Sequence, residues 1–195
     1  MKLTINKSIN REILIDGCRK NHRHAQQEIY NLIAPKMLGV CRRYINDKLE
    51  AEGVMMSGFL KVFDKIDQFT DTGSFEAWIR KIMVNECLLY IRKNKNMYLE
   101  VDLENAVAEP NYELASTNLD TDELLLLIDK LPVGYKTVFN MFAIEGYSHK
   151  EISEMLDITE STSKSQLSRA RKLLQKQLLD KESAWDKNIR RHGKA

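Results

Sequence analysis

The chain has 195 residues, of which 43% are hydrophobic and 30% are charged. This composition is typical of a globular protein with one ordinary domain or two small ones, and it excludes a disordered chain. No apolar run exceeds five residues, as in 124–128, and MKLTINKSIN has no apolar signal segment, so we expect no insertion into a membrane. Three well-separated cysteines predict no disulfide framework, which favours a cytoplasmic location.

Charge is distributed unevenly along the chain. Residues 1–95 carry 17 basic and 11 acidic side chains. Residues 96–130 carry 1 basic and 9 acidic side chains, and residues 131–195 carry 12 basic and 8 acidic ones. The formal net charge of +2 therefore conceals two basic segments on either side of an acidic one. Basic segments suit a polyanion such as nucleic acid, although ordinary charged helix surfaces give the same totals.

The first half of the sequence has the apolar period of helices. The predicted helices cover about 8–46, 50–66 and 75–95. Pro35 falls inside the first, and we expect it to kink or split that helix. The apolar positions of the second include Val54, Met55, Leu60 and Val62. A loop is predicted at DQFTDTGS, with Ser74 as the N-cap of the third helix.

The middle of the chain separates two helical parts. Residues 97–118 lose the helical period and are rich in acids, which indicates a flexible acidic linker. Helices are predicted over about 119–130 and from Pro132 to Glu145, with Gly146 as the C-cap. No strand is predicted, and we expect an all-α fold of two small helical domains joined by this linker. The predicted divisions are a first domain at 1–96, the linker at 97–118, a second domain at 119–180 and a basic tail at 181–195.

The sharpest local pattern begins at Ser148. Ser148 and Glu151 form a capping box for a short helix, Asp157 stands where a tight turn needs a left-handed residue, and a longer helix follows over about 161–179. Two helices joined in this way predict a helix-turn-helix motif. A helical hairpin with a solvated basic face is the alternative, and the agreement of cap, turn and periodicity favours the motif.

The second helix of this motif has two distinct faces at 100° per residue. The inner face is predicted to hold Ser163, Leu167, Ala170, Leu174 and Leu178. The outer face is predicted to hold Thr162, Ser165, Arg169, Lys172 and Lys176, with Lys164 and Gln166 on its flanks. The N-terminal part of such a helix enters the major groove, where Gln and Arg suit adenine and guanine, and later cations suit phosphates. His149, at the start of the first helix, is predicted to be a surface residue.

The order of these parts resembles a bacterial RNA polymerase sigma factor of the extracytoplasmic-function (ECF) type. LPVGYKTVFNMFAIEGYSHKEISEMLDITESTSKSQLSRARKLL resembles region 4 of that family, and EAEGVMMSGFLKVFDKIDQF with GSFEAWIRKIMVNECLLYIRK resembles region 2. The two resemblances cover most of residues 20–178. They imply that the helix-turn-helix binds the minus-thirty-five promoter element and that region 2 binds the minus-ten element as a melted strand.

The resemblance also implies binding residues for the melted strand. The loop after the second predicted helix is expected to hold a flipped-out base, and the next helix is expected to face the strand. The expected contacts are Lys65, Gln68, Phe69, Thr70, Arg80 and Asn85. Among the nearby aromatic residues Phe69 is the best candidate for stacking on a base, because it lies in the loop.

Polymerase is the partner that the resemblance implies, at its β′ clamp and β flap, together with promoter DNA and an anti-sigma factor. The expected clamp-binding residues are Glu52, Gly53, Met56 and Ser57. Family members often have acids and a glutamine where this chain has Gly53, Met56 and Ser57, so the docking surface here is more apolar. Met55 and Met56 form either an adaptable protein interface or part of the core. The acidic linker either mimics a transcript or serves as a solvated tether.

Other chemistries lack support in the sequence. No phosphate-binding, dinucleotide-binding, nucleophile-elbow or HExxH motif occurs, and His22 with His24 lacks further ligands, so we expect no cofactor, metal or enzyme activity. Two alternatives to a sigma factor remain open. One is a helix-turn-helix regulator that binds duplex DNA unaided, and the other is a module that binds polymerase or an antagonist but no promoter.

Overall fold

The computed structural model describes most of the chain outside its middle and its ends. The described residues are 7–70, 72–94 and 121–192, with side chains described over 11–70, 72–94 and 125–181. All regular structure in these residues is helical, which confirms the all-α prediction. The chain divides into two compact units, Met1–Lys93 and Asn94–Ala195. The predicted acidic linker lies outside the described residues.

The described part of the N-terminal unit is a small helical bundle. It contains α1 (Lys7–Arg19), α2 (Arg23–Arg42), α3 (Lys48–Asp64), a 3₁₀ turn (Ile66–Gln68) and α4 (Phe75–Lys93). Each helix buries apolar side chains, among them Ile15, Ile29, Phe59 and Ile79. The carboxylate of Asp47 caps α3 by accepting a hydrogen bond from the Glu50 amide at 2.9 Å. Burial of apolar surface in this bundle is the main force that holds these helices together.

The helix predicted over 8–46 breaks well before the expected point. Asn21 adopts a left-handed conformation with φ 56°, and the His22 amide donates to the Gly17 carbonyl at 2.9 Å. This is a Schellman-type end, which Asn tolerates because its short polar side chain suits the left-handed region. The break therefore depends on an asparagine that the periodicity did not distinguish.

Pro35 was expected to kink or split the predicted helix, but the helix is divided at Asn21 and not at Pro35. Pro35 lies inside α2, which continues through it. Proline removes one backbone donor and crowds the preceding turn, at a cost of about 3 kcal/mol in a helix interior. Pro35 is exposed, whereas Ile33 and Met37 on either side of it are 3% and 1% exposed. We attribute the continuity of α2 to burial of its opposite face, which offsets the free-energy cost of the proline.

The C-terminal unit is built from shorter helices around the start of one long helix. It contains α5 (Thr121–Asp129), α6 (Val133–Phe139) with a π-type turn (Asn140–Ile144), α7 (His149–Leu156) and α8 (Glu160–His192). Its apolar core joins α5, α6 and α8. The core residues are Leu127, Ile128, Leu131, Tyr135, Ala170 and Leu174. Gly146 has φ 80° just after the π-type turn, at the predicted helix end.

The last helix is longer than the sequence pattern indicated. It was expected to end near residue 179 and to be followed by a basic tail at 181–195, but α8 runs to His192. No glycine or proline occurs between residue 179 and Gly193, and Lys, Glu and Ala in this stretch are good helix formers. The helix continues because nothing in the local sequence ends it.

Candidate nucleic-acid interface

The helix-turn-helix motif forms as predicted, and its local hydrogen bonds explain why. The Ser148 amide donates to the Glu151 carboxylate at 2.8 Å, and the Glu151 amide donates to the Ser148 hydroxyl at 3.2 Å, which completes the capping box. Asp157 ends α7 in the left-handed region with φ 56°, and the Ile158 amide donates to the Ser153 carbonyl at 3.1 Å. Caps and a left-handed residue thus set both ends of α7.

The inner face of α8 packs as the periodicity predicted. Ser163, Leu167, Ala170 and Leu174 are buried, and Leu178 is half-buried. This leaves the opposite face of the helix directed outward from its own unit.

His149 is a packing residue, so its prediction as a surface residue was wrong. Its Nδ1 lies 2.9 Å from the Ser163 hydroxyl, and its ring stacks on Phe142 with centroids 4.6 Å apart. Burial, followed by the charge of Lys164, lowers the pKa of His149 below its usual value of 6.5. The neutral imidazole is therefore favoured in the folded state and joins α7 to α8.

The predicted outer residues of α8 differ in how freely they face solvent. Lys164, Ser165 and Lys176 are exposed, whereas Thr162, Gln166, Arg169 and Lys172 are half-buried. A further exposed hydroxyl, Ser161, lies one turn before Ser165 on the same face and was missed from the sequence. Its position on the same helical wheel was the available signal. The exposed surface combines short hydroxyl groups near the start of the helix with cations.

Two of these outer residues contact α6. The Arg169 guanidinium donates to the Tyr135 hydroxyl at 3.3 Å. A Cβ atom placed on Gly134 lies 3.4 Å from the Gln166 side-chain nitrogen, so the Gln166 amide lies over this glycine. The hydrogen bond to Tyr135 therefore restricts the orientation of Arg169 before any ligand binds, and the Gln166 side chain lies beside Gly134 at the edge of the outer face.

In the N-terminal unit, residues 65–70 directly follow α3 and lie in the connection between α3 and α4. We call this segment the 65–70 loop. Lys65, Gln68 and Thr70 are exposed, as the prediction of strand contacts requires. Phe69 is only 6% exposed, and its ring lies 5.0 Å from that of Phe75. The interpretation of Phe69 as the stacking ring is corrected by this burial, since a core ring offers no free face to a base.

The two predicted contact residues of α4 do not share a face. Asn85 is exposed and Arg80 is half-buried, and five residues separate them, which is about 140° around a helix. Lys81 is exposed and lies one turn before Asn85. The outward face of α4 therefore carries Lys81 with Asn85. This lysine was missed from the sequence because only the arginine and the asparagine of the helix were considered.

The outward side of α3 is apolar along its length. Leu49, Met56 and Leu60 are 77%, 50% and 70% exposed, and Gly53 lies between them with open space where a Cβ atom would stand. We call these four residues the outer row of α3, since positions 49, 53, 56 and 60 lie within about 60° of one another on a helix. The row was missed as a unit because Leu60 was counted only as one of the apolar positions of the predicted helix, and Leu49 lies before the predicted start of that helix.

The four predicted clamp-binding residues lie on or beside the outer row. Gly53 and Met56 belong to it, while exposed Ser57 and half-buried Glu52 flank it. Glu52 pairs with Lys48 at 3.8 Å. The alternatives left open for the two methionines are resolved, because Met55 is 4% exposed and belongs to the core whereas Met56 faces outward.

The described residues contain neither a membrane-spanning helix nor a metal cluster. None of their helices is both long enough and apolar enough to cross a membrane. Within the same part of the chain, no group of three or more His, Cys, Asp or Glu side chains could hold a metal ion.

Comparison with protein families identifies both units. The family model for Sigma-70 region 2 matches residues 29–97, and the model for Sigma-70, region 4 matches residues 121–174. Together the two matches span more than half of the chain. They coincide with the segments that carry the outer row of α3, the 65–70 loop and the helix-turn-helix.

Individual relatives agree with the family matches. The ECF RNA polymerase sigma factor SigW of Bacillus subtilis is 29% identical over 178 residues, which cover 85% of this chain and 95% of the relative. The ECF RNA polymerase sigma-E factor of Haemophilus influenzae is 23% identical over 180 residues, which cover 86% of this chain and 94% of the relative. Among solved structures, the sigma factor RpoE of Bartonella quintana, in complex with the anti-sigma factor NepR, is 20% identical with a TM-score of 0.48, covering 78% of this chain and 95% of that one.

Proposed function

The chain belongs to the sigma-70 family of RNA polymerase sigma factors and is of the ECF type, and from this premise we propose how its surfaces divide the work of initiation. The outer row of α3 docks on core polymerase, the 65–70 loop and α4 hold the melted minus-ten strand, and α8 binds the minus-thirty-five duplex. The proposed domains follow the predicted divisions 1–96 and 119–180, with 97–118 as the connecting segment.

The proposal for duplex binding depends on the outer face of α8. Ser161 and Lys164 present a hydroxyl and an ammonium group at the start of the helix, where a recognition helix meets base edges. The Ser165 hydroxyl donates to the Thr162 carbonyl at 2.9 Å and can still accept a hydrogen bond. Lys172 and Lys176 lie further along and suit phosphate contacts. Gln166 and Arg169 can supply bidentate contacts, and the bond from Arg169 to Tyr135 of α6 restricts the angle of the guanidinium, which favours specificity over adaptability.

The proposal for the melted strand depends on exposed polar groups in the N-terminal unit. Lys65, Gln68 and Thr70 offer a cation, an amide and a hydroxyl within six residues. Asn85 and Lys81 add an amide and a cation on α4. Unpaired bases can be held by hydrogen bonds to their exposed edges, and cations follow the phosphates.

The outer row of α3 is the single observation that carries the polymerase assignment. The row of exposed leucine and methionine side chains extends for about 16 Å along the helix, and contact with duplex DNA does not require it. Such a row on a protein surface marks an interaction site, and its apolar character suits a partner contact built on burial. We therefore propose that Met56 and Leu60 replace by apolar contact the polar docking that many family members use.

Further parts of the proposal concern setting and regulation. Core polymerase carries the chemistry of RNA synthesis, so this chain acts as an initiation factor and needs no catalytic group. We place its action in the cytoplasm with the polymerase. An anti-sigma factor is a proposed further partner, on the basis of the family resemblance.

The proposal is tested by binding of the purified full chain to core RNA polymerase, followed by run-off transcription. Met56→Glu and Leu60→Glu place a charge in the outer row without disturbing the core, and we expect each to weaken polymerase binding by about tenfold or more. Ile13→Glu is the matched control, since Ile13 is 62% exposed on α1. Duplex binding by all three variants should equal that of the parent chain.

Three outcomes would contradict the proposal. If the parent chain binds a minus-thirty-five duplex with strong salt dependence but does not associate with polymerase, it is a regulator that acts alone. If polymerase binds the parent chain and both glutamate variants equally, the docking surface lies elsewhere than on α3. Association with polymerase without promoter-specific transcripts would instead indicate an interaction module.

A further inference from the structure

The 65–70 loop has alternating anchored and exposed residues. Ile66 and Phe69 are 3% and 6% exposed and attach the loop to the core, while Lys65, Gln68 and Thr70 face solvent. The amides of Gln68 and Phe69 donate to the carbonyls of Lys65 and Ile66, at 2.9 and 3.1 Å, which closes the 3₁₀ turn. The direction of the exposed side chains therefore depends on how the main chain at Phe69 is held.

A residue far away in sequence holds that main chain. The Arg19 guanidinium Nη2 donates to the Phe69 carbonyl oxygen at 2.7 Å, in a partly buried position and across 50 residues. Bonds with a charged donor are shorter and stronger than neutral ones. On the other side of the backbone, the Phe69 ring packs 5.0 Å from Phe75 and 5.6 Å from Trp78. The peptide of Phe69 is thus fixed from both sides, directly before exposed Thr70.

Arg19 is itself placed by a rigid corner. It is the last residue of α1, and the left-handed Asn21 with the bond from the His22 amide to the Gly17 carbonyl ends that helix. A Cβ atom on Gly17 falls 2.7 Å from the Ala25 Cβ, so α1 and α2 approach closely at this corner. The guanidinium therefore projects from a backbone with little freedom to shift.

We propose that Arg19 is a positioning residue for recognition of the melted strand, which rests on the proposed role of the 65–70 loop. Arg19 fixes the Phe69 carbonyl, and the fixed peptide sets the directions of Gln68 and Thr70 toward a flipped-out base. Small displacements of binding groups have large effects on recognition and rate, because the groups must be in place before the base arrives. Arg19 precedes the region 2 match, so the family pattern did not point to it.

The test measures base preference at the minus-ten element with the full chain and core polymerase. Promoters that differ only at single minus-ten positions are transcribed by the parent chain, Arg19→Ala, Arg19→Lys and the control Arg11→Ala, which removes an exposed positive charge from the same helix. We expect Arg19→Ala to lose discrimination among bases by about tenfold at one position. Arg19→Lys should restore part of it, since Lys keeps the charge but not the planar fork.

Polymerase affinity and duplex binding of the variants should stay within about twofold of the parent, because Arg19 belongs neither to the outer row of α3 nor to α8. A second measurement uses the free chain: hydrogen exchange at the amides of residues 65–70 should quicken in Arg19→Ala, while exchange in the middle of α4 stays unchanged. Unchanged base preference in Arg19→Ala, or an equal loss with Arg11→Ala, would overturn the inference. So would loop exchange that does not respond to the substitution. Failure of the parent chain to initiate at all would instead contradict the proposed function.

Discussion

The proposed binding surfaces on α8 and on α3 differ in polarity. In the C-terminal unit the outer face of α8 is polar, and its inner face is small or apolar. In the N-terminal unit the outer row of α3 is as apolar as the residues beneath it, with Leu49 at 77% and Leu60 at 70% exposure. A polar outer face is predictable from periodicity because polarity and exposure agree. An apolar outer face is not, since the hydrophobic effect assigns those residues to a core unless a partner covers them.

Their interiors also differ. The described N-terminal core is made of apolar side chains, whereas the C-terminal unit buries Lys136, Thr137, Asn140 and Ser163. Lys136 lies 3.5 Å from the Asp129 carboxylate, and burial lowers the pKa of its ammonium group against the opposing effect of that carboxylate. Ser163 is paired with His149 at 2.9 Å, whereas the buried Thr137 hydroxyl has no hydrogen-bond partner among the described residues. The C-terminal unit therefore depends in part on individual polar pairs, and the N-terminal unit depends on close packing. The following predictions test that contrast.

The largest effect is expected where α3 and α4 pack most closely. A Cβ atom on Gly58 would overlap the Met83 sulfur, and Met83 is fully buried. Gly58→Ala should lower the free energy of unfolding by about 1–3 kcal/mol through overpacking, partly offset by the better helix propensity of alanine. Urea denaturation of the full chain measures this change.

Gly53→Ala on the same helix is the matched control. No atom lies within 4 Å of its Cβ position, so the substitution should raise the free energy of unfolding by about 0.5–1 kcal/mol. Opposite signs for the two variants support close packing as the determinant of this unit. Equal stabilisation by both would show that Met83 moves aside without a free-energy cost. It would contradict the dependence of the N-terminal unit on close packing.

An intermediate effect is expected from the hydrogen bond between His149 and Ser163. Because the folded pKa of His149 is lowered, the unfolded chain takes up a proton first as the pH falls below about 6.5. The stability that His149 contributes is therefore present above that pH and is lost as the pH falls through the folded pKa. Lys164 and Arg171 promote this loss by repelling the protonated ring, and Glu160 opposes it.

Urea midpoints of the parent and His149→Gln, measured from about pH 7.5 down to about pH 5.5, should converge as the pH falls. Ser163→Ala removes the partner hydroxyl and should show the same trend, and the double variant should be less than additive. A difference between parent and His149→Gln that does not change with pH would exclude His149 as the source of pH dependence.

The smallest effect is expected at the left-handed residues. Each unit has one non-glycine residue in this conformation among its described residues. Asn21 and Asp157 both have φ 56°. Asparagine is the better residue at this helix-end position, so Asp157→Gly should stabilise the chain by up to about 0.5 kcal/mol and Asn21→Gly should be close to neutral. Thermal denaturation resolves the difference as a shift of about 1–2 °C. The reverse order would mean that the Asp157 carboxylate contributes a contact that outweighs the backbone strain.

Much of the C-terminal unit could be predicted because its determinants are local. The capping box of Ser148 with Glu151, the turn at Asp157 and the two faces of α8 each depend on residues within a few positions of one another. Short-range hydrogen bonds and helical periodicity encode such features directly. The all-α class followed from helical periodicity in the same way. The succession of a basic, an acidic and a second basic segment is given directly by the order of residue types.

Other features depended on residues distant in sequence. Periodicity alone could not show that Phe69 is buried against Trp78, that Met56 rather than Met55 faces outward, or that Arg19 bonds to a carbonyl 50 residues away. Each of these is decided by which surfaces of different helices meet, and that choice is made by the total burial and polar pairing of the whole unit. The sequence by itself therefore determined the helices and the recognition motif. The tertiary structure decided which apolar residues form the core and which are left for a partner.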